Sequence, residues 1–189
     1  LPQDVLEDGS GTQKYGYSAR SLMAIYKYFA GLPFYRQSSI QKLLGVKLTA
    51  STVFDQVEQV CDAIYPVYQH LVSLAADAVH YAIDDTTHRI LDAKPIEKKM
   101  RNSDKTHLRS GVYTSGVIAT TAANQHIVLF ETNIGHAGET IDSILLKRSQ
   151  SCAQPIIMSD ALTSNRPTVI STTTSLCNSH ARRQFVDVI

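Results

Sequence analysis

The 189-residue chain has little cysteine, no tryptophan and no long apolar run. Cys61, Cys152 and Cys177 are odd in number and irregularly spaced, which excludes a disulfide framework and suits a reducing cytoplasm. No stretch approaches the roughly 18 consecutive apolar residues that a membrane-spanning helix needs. The N-terminus also lacks the basic-then-apolar order of a secretory signal, so neither export nor anchoring is expected. A Gly-rich phosphate loop closing on Lys-Ser/Thr is missing, as is a nucleophile elbow. The histidines His80, His88, His107, His126 and His136 show no metal-ligand spacing and read as surface or satisfied core residues. Net charge is +1, too near zero to name a partner.

What is present is one ordinary core's worth of apolar residues, 43% of the chain, with 19% charged. The charge is uneven. Between Arg89 and Arg109 seven basic residues, among them Lys98, Lys99 and Arg101, face three acids. This stretch lacks apolar periodicity and reads as a basic loop, either a solvated surface or a contact for a polyanion.

Residues 1–17 are polar and Gly-containing and read as a linker or domain edge. Residues 18–76 read as helical. Ser18 is placed to cap a helix that carries Leu22, Met23, Tyr26 and Phe29 at helical spacing and stops at Gly31. A second helix starts near Pro33, aligns Ile40, Leu43 and Leu44, and ends at Gly45. Thr49 or Ser51 caps a long third helix with the stripe Val53, Val57, Val60/Cys61, Ile64, Tyr68, Leu71 and Leu74, with a kink expected at Pro66. Two helices joined by a short Gly-containing turn, the second opening with Ser51 and Thr52, make a helix-turn-helix pattern, which serves both DNA reading and ordinary packing.

Past residue 76 the period changes. Val79 to Ile83 reads as a buried strand that stops at Asp84-Asp85, and Val112 to Thr121 with Ile127 to Glu131 as a hairpin. Gly138 to Ser149 has helical spacing, and Pro155 to Met158 is a further strand that ends at Asp160. The fold class expected is α/β: an N-terminal helix-turn-helix-like segment, then a ribonuclease-H-like mixed sheet with flanking helices over residues 77–189. Asp residues fixed at strand ends suit divalent cations, because phosphodiester chemistry with two ions needs hard oxygen ligands held rigidly at one rim. An Asp in that position is also a common turn former or helix cap.

Several blocks carry a resemblance. Tyr17-Ser-Ala-Arg, YFAGLPFYRQSSIQ (Tyr28 to Gln41), Leu44-Gly45-Val46 and Ser51-Thr52-Val53 resemble the central region of the insertion-sequence-66 family of transposases, where an LPLYRQ segment, LG and ST precede the catalytic domain. Ala82-Ile83-Asp84-Asp85-Thr86-Thr87 is similar to that family's A-D-E-T-P block, Ile156 to Asp160 to the strand bearing its second catalytic Asp, and Cys177 to Phe185 (CNSHARRQF) to its C-W-A-H-A-R-R-K-F string. The blocks span about residues 15 to 189 in order. Asn178, Thr87 and Ala161 depart from the pattern, standing where the family has Trp, Pro and Gly.

The resemblance implies a DDE-type transposase in which Asp84 and Asp160 are catalytic and hold Mg2+ (or Mn2+), with Asp85 as the reserve acid. The family's third acid, a Glu in an N-N-x-x-E-R block, is expected beyond Ile189, so the catalytic core is expected to be truncated here. Asp187 reads as a helix-surface residue. Cys177 and His180 are expected to play a structural part near the site, since half a zinc site is no site. Arg182 and Arg183 suit phosphate or carboxylate. Expected partners are double-stranded DNA, both transposon ends and target, a second copy of the chain on that DNA, and accessory proteins of the element, in the bacterial cytoplasm at the nucleoid. The alternatives are a ribonuclease-H-like nuclease and a DNA-binding relic without chemistry.

Overall fold

The computed structural model describes residues 3–9, 13–88, 90, 94–99, 106–109 and 111–186, with the side chains of Val5, Leu6, His107, Arg109 and Gln184 left aside. They form two compact units, Leu1–Tyr68 and Gln69–Ile189.

The first unit holds helices α1 (Gln3–Glu7), α2 (Tyr17–Tyr28), α3 (Phe34–Leu43) and most of α4 (Ala50–Ala76). Ser18 does not cap α2; it lies in the first turn, and the Asp8 carboxylate accepts its backbone N–H at 2.8 Å and its hydroxyl at 2.9 Å. The stretch read as a linker thus supplies the missing acceptor at an open helix start. Gly31 (φ +65°) and Gly45 (φ +79°) take the left-handed conformation that turns the chain out of α2 and α3. Thr49 Oγ1 accepts the Thr52 N–H at 3.1 Å and caps α4. The core is Leu48, Val53 and Val57, with Tyr15, Met23, Ala24 and Phe34 packed against it. The expected apolar face of α3 is not inside: Leu43 is 87% exposed, whereas Gln37 is buried and donates to the Met23 and Leu32 carbonyls. The buried Gln37 amide thus finds acceptors in the middle of α2 and in the link between α2 and α3, as a buried polar group requires.

The second unit is a five-stranded mixed sheet in the order β5-β4-β1-β6-β7, with β1 (His80–His88), β4 (Val112–Thr120), β5 (His126–Asn133), β6 (Ile156–Ser159) and β7 (Thr173–Leu176). Strand β1 runs antiparallel to β4 and parallel to β6, β4 antiparallel to β5, and β6 parallel to β7. Two short strands, β2 (Ile96–Lys99) and β3 (Thr106–Arg109), pair with each other. Helix α5 (Ala137–Leu145) covers one sheet face: Ile141, Ile144 and Leu145 are buried, as are Tyr81 and Ile83 of β1, Val117 and Ala119 of β4 and Ile157 of β6. Burial of each large apolar side chain stabilises by about 1.5–3 kcal/mol. Helix α6 (Asn178–Val186) follows β7.

Three sequence readings of the second unit change, and one strand is new. Strand β1 does not stop at the Asp pair but runs to His88, because residues 84–88 find partners in the first half of β4. Part of the basic stretch read as a loop is the β2–β3 pair, where backbone pairing replaces the missing apolar alternation. Helix α5 ends at Leu145, four residues short of Ser149, and the Arg148 side chain bonds instead to the Ala76, Ala78 and Ala153 carbonyls. Strand β7, threonine-rich and at the sheet edge, has no apolar run to announce it.

Arg148 closes the C-terminal end of α4. Its Nη1 donates to the Ala76 and Ala78 carbonyls at 2.7 Å and its Nη2 to that of Ala153 at 2.7 Å, while the Tyr81 hydroxyl lies 2.7 Å from the Ala75 carbonyl. Burial pushes the Tyr81 phenol up to about 12, so it remains a donor at every physiological pH. Arg148→Met, which keeps the aliphatic stem, is expected to lower unfolding stability by about 2–3 kcal/mol in urea titrations, and Tyr81→Phe by about 1 kcal/mol.

Candidate active site

Asp84 and Asp85 are consecutive on a strand, so their side chains leave opposite faces of the sheet. Asp85 points to the α5 side. Its Oδ2 lies 3.0 Å from His136 Nδ1 and accepts the Ala137 N–H at 3.2 Å, which caps a helix start that has no side-chain cap of its own. The reserve acid is therefore engaged at a helix N-terminus.

Asp84 faces the other side. Its Oδ1 accepts the Asp85 N–H at 2.9 Å, and Oδ2 has no hydrogen-bond partner among the described residues. On the neighbouring parallel strand Ala82 is opposite Met158, and Asp160 follows directly after the last residue of that strand. Asp160 Oδ1 accepts the Leu162 N–H at 3.0 Å and the Asn165 side-chain amide at 2.9 Å, and its Oδ2 is uncommitted among the described residues. Both aspartates line one cavity of about 260 Å3. Gly116, opposite Asp84 on β4, leaves room there; a Cβ in its place would meet the Phe130 ring at 3.4 Å. Ala82, Ile118, Val128 and Met158 make the rest of the wall largely apolar.

Cys177 and His180 line the same cavity from the start of α6. The Cys177 N–H donates to the Ser159 carbonyl at 2.8 Å, which ties the helix to the strand bearing Asp160. The nearby His180 imidazole, then the His180 and Ser179 amides, bring the Cys177 thiol down to about 7. His180 Nδ1 is itself buried with no close partner, so the thiol–imidazole attraction is loose, and the helix-start amides push the same way.

Residues 13–189 match the model of the family described as Transposase IS66 family. The chain belongs to the IS66 family of transposases. Among curated proteins none matches it. The family match covers all of the cavity residues, so the aspartates, Gly116, Cys177 and His180 are parts of the family domain itself.

Among the described residues no three His, Cys, Asp or Glu side chains are grouped to hold a metal ion. Two carboxylates that each present one free oxygen to a shared cavity still fit Mg2+, which takes one or two protein carboxylates and keeps most of its water. Of the remaining residues singled out in this IS66 transposase, Ser51 and Thr52 are bound into the α4 cap, their hydroxyls 2.9 and 2.8 Å from Thr49 Oγ1. Lys98 forms an ion pair with Glu139, so it is not a bare cation facing solvent. Arg101 and Asp187 lie outside the described residues. Arg182 and Arg183 are exposed on α6, one turn beyond His180. Asn165 and Gly116 escaped the sequence reading, because an Asn in a polar turn and a Gly in a strand carry no chemical signature.

Alkylation of Cys177 by iodoacetamide, followed by peptide mass spectrometry, is expected to reach half its limiting rate near pH 7, the thiolate being present above that pH. An ordinary thiol would need about pH 8.5. His180→Ala is expected to move the midpoint upward.

Proposed function

We propose that this chain is the recombination core of the transposase, in which Asp84 and Asp160 hold Mg2+ (or Mn2+) for phosphodiester cleavage and strand transfer at transposon ends. The observation that carries the proposal is the pair of carboxylates brought from neighbouring parallel strands to one cavity, each with an uncommitted oxygen. The sheet order, with β1 central between an antiparallel pair and a parallel pair, supports a ribonuclease-H-like reading of residues 77–189. Divalent ions bound there would supply charge neutralisation on the attacking and leaving oxygens. The chain's own part is to fix Asp84 on β1 and Asp160 directly after β6, leave space at Gly116 and line the rest of the cavity with apolar side chains. Asp85 supports this by anchoring α5 rather than by touching the reacting atoms.

DNA is the substrate that this chemistry requires, held by the helical segment of residues 18–76 and by Arg182 and Arg183 beside the cavity. Guanidinium forks suit phosphate oxygens. Assembly as a homo-oligomer on DNA, help from accessory proteins of the element, and a bacterial nucleoid location belong to the same proposal.

In strand-nicking assays with the complete transposase, Asp84→Asn and Asp160→Asn are each expected to lower the rate at least about a thousandfold, near 4 kcal/mol of lost stabilisation, with DNA binding retained. Asp85→Asn is expected to cost thermal stability and keep most of the cleavage. Full cleavage by the Asp84 or Asp160 variant would remove that residue from the mechanism, and DNA binding with no metal-dependent nicking by the unaltered protein would favour a binding relic.

Gel-shift titrations across a salt series test the arginines. The double change Arg182→Ala with Arg183→Ala is expected to flatten the slope of log affinity against log salt by roughly 0.9 for each phosphate no longer neutralised. An unchanged slope would assign them to the solvated surface.

A further inference from the structure

Asp160 does not stand free at the end of β6. The chain after it turns through Thr163–Asn165, and Asn165, fully buried, sends its side-chain amide back to Asp160 Oδ1 at 2.9 Å. The Leu162 N–H reaches the same oxygen at 3.0 Å. The turn is pinned from its far side: the Asp142 carboxylate of α5 accepts the Thr168 N–H at 2.8 Å and the Thr168 hydroxyl at 2.9 Å. Asn165 is thus held independently of the group that it contacts.

Its other end is unusual. Asn165 Oδ1 is buried and has no hydrogen-bond partner among the described residues. An unpartnered buried carbonyl is costly, and burial alone would be served as well by an apolar side chain. Turning the amide over does not help, because it would set its oxygen against the Asp160 oxygen. The one orientation that makes a bond is the one that donates to the Asp160 carboxylate.

We infer that Asn165 is a positioning residue that fixes the rotation of the Asp160 carboxylate, with Oδ1 held by the turn and Oδ2 alone offered to the cavity, so that Asp160 meets a divalent cation through a single oxygen and the site favours Mg2+ over Ca2+. The inference rests on the proposed role of Asp160 as a metal ligand. Its physical basis is coordination chemistry. Mg2+ demands a small octahedral shell and accepts one oxygen per carboxylate, whereas Ca2+ takes more ligands in a flexible shell and accepts carboxylates through both oxygens. A carboxylate with one oxygen already occupied by two N–H donors cannot readily become bidentate. Partners of this kind, one shell away from the ion, typically change metal affinity by roughly 10- to 100-fold.

The test is Mn2+ binding to the chain followed by electron paramagnetic resonance, with Mg2+ and Ca2+ as competitors. For the unaltered chain Mg2+ is expected to displace Mn2+ better than Ca2+ does. Asn165→Leu is expected to weaken Mg2+ about tenfold and Ca2+ far less, which moves the Mg2+/Ca2+ ratio by roughly the same factor. Asn165→Asp, nearly isosteric, provides a second variant should the leucine substitution prevent folding, and is expected to move the ratio in the same direction. Thr168→Ala loosens the turn's anchor without touching Asp160; it is expected to lower the melting temperature and to move the ratio in the same direction, by less than either Asn165 variant. Loss of Mn2+ binding in Asp160→Asn, together with an unaltered ratio in both Asn165 variants, would overturn the inference while the metal reading stands. Mn2+ binding that survives Asp160→Asn would overturn the metal reading itself, and this inference with it.

Discussion

The parallel pairing of β1 with β6 is the contact on which the site depends. Asp84 and Asp160 are far apart in the chain, and the parallel pairing that places Ala82 opposite Met158 carries both to one cavity. A slip of one residue would send one carboxylate to the far face, because side chains alternate with a period of two. That register is held by burial: Tyr81 and Ile157 are paired across the two strands and both are buried. The same apolar packing that stabilises the second unit therefore sets the geometry of two charged groups on its opposite side.

The pleat also divides the labour between adjacent acids. Asp85 sits on the covered face and meets the N-terminal end of α5, where the helix dipole and a free N–H favour a negative charge. Asp84, one residue earlier, emerges on the open face and keeps an oxygen uncommitted. The two carboxylates share a sequence neighbourhood and differ in environment, so they do not exchange roles: moving Asp85 to the cavity would strip α5 of its cap.

Much of this was legible in the sequence, and what was not has identifiable physical reasons. Apolar runs marked β4, β5 and β6 to within a residue or two, since each is β-branched and bounded by polar turns. The extension of β1 through Asp84 to His88 was hidden because its residues are polar and owe their strand conformation to β4 alone. Strands β2, β3 and β7 were hidden in the same way, as edge or isolated pairs that need backbone partners more than apolar side chains. In the first unit the helices followed from periodicity and Gly stops, but the buried Gln37 and the exposed Leu43 reversed the inside and outside of α3. Asp84 and Asp160 were found through family strings rather than through spacing. Asn165 was visible to neither, because its meaning lies wholly in the fold that carries it to Asp160.

Asp84 and Asp160 line one cavity whose other walls are mostly apolar. The hydrogen bonds that hold them come from neutral donors: a backbone amide for Asp84, and a backbone amide plus a buried side-chain amide for Asp160. Among the described residues no salt bridge to Lys or Arg neutralises either acid. A fixed cation there would stabilise the resting protein and compete with a metal for the same oxygens. Amide donors hold each carboxylate in place without neutralising its charge, which is the arrangement the proposed metal role asks of them.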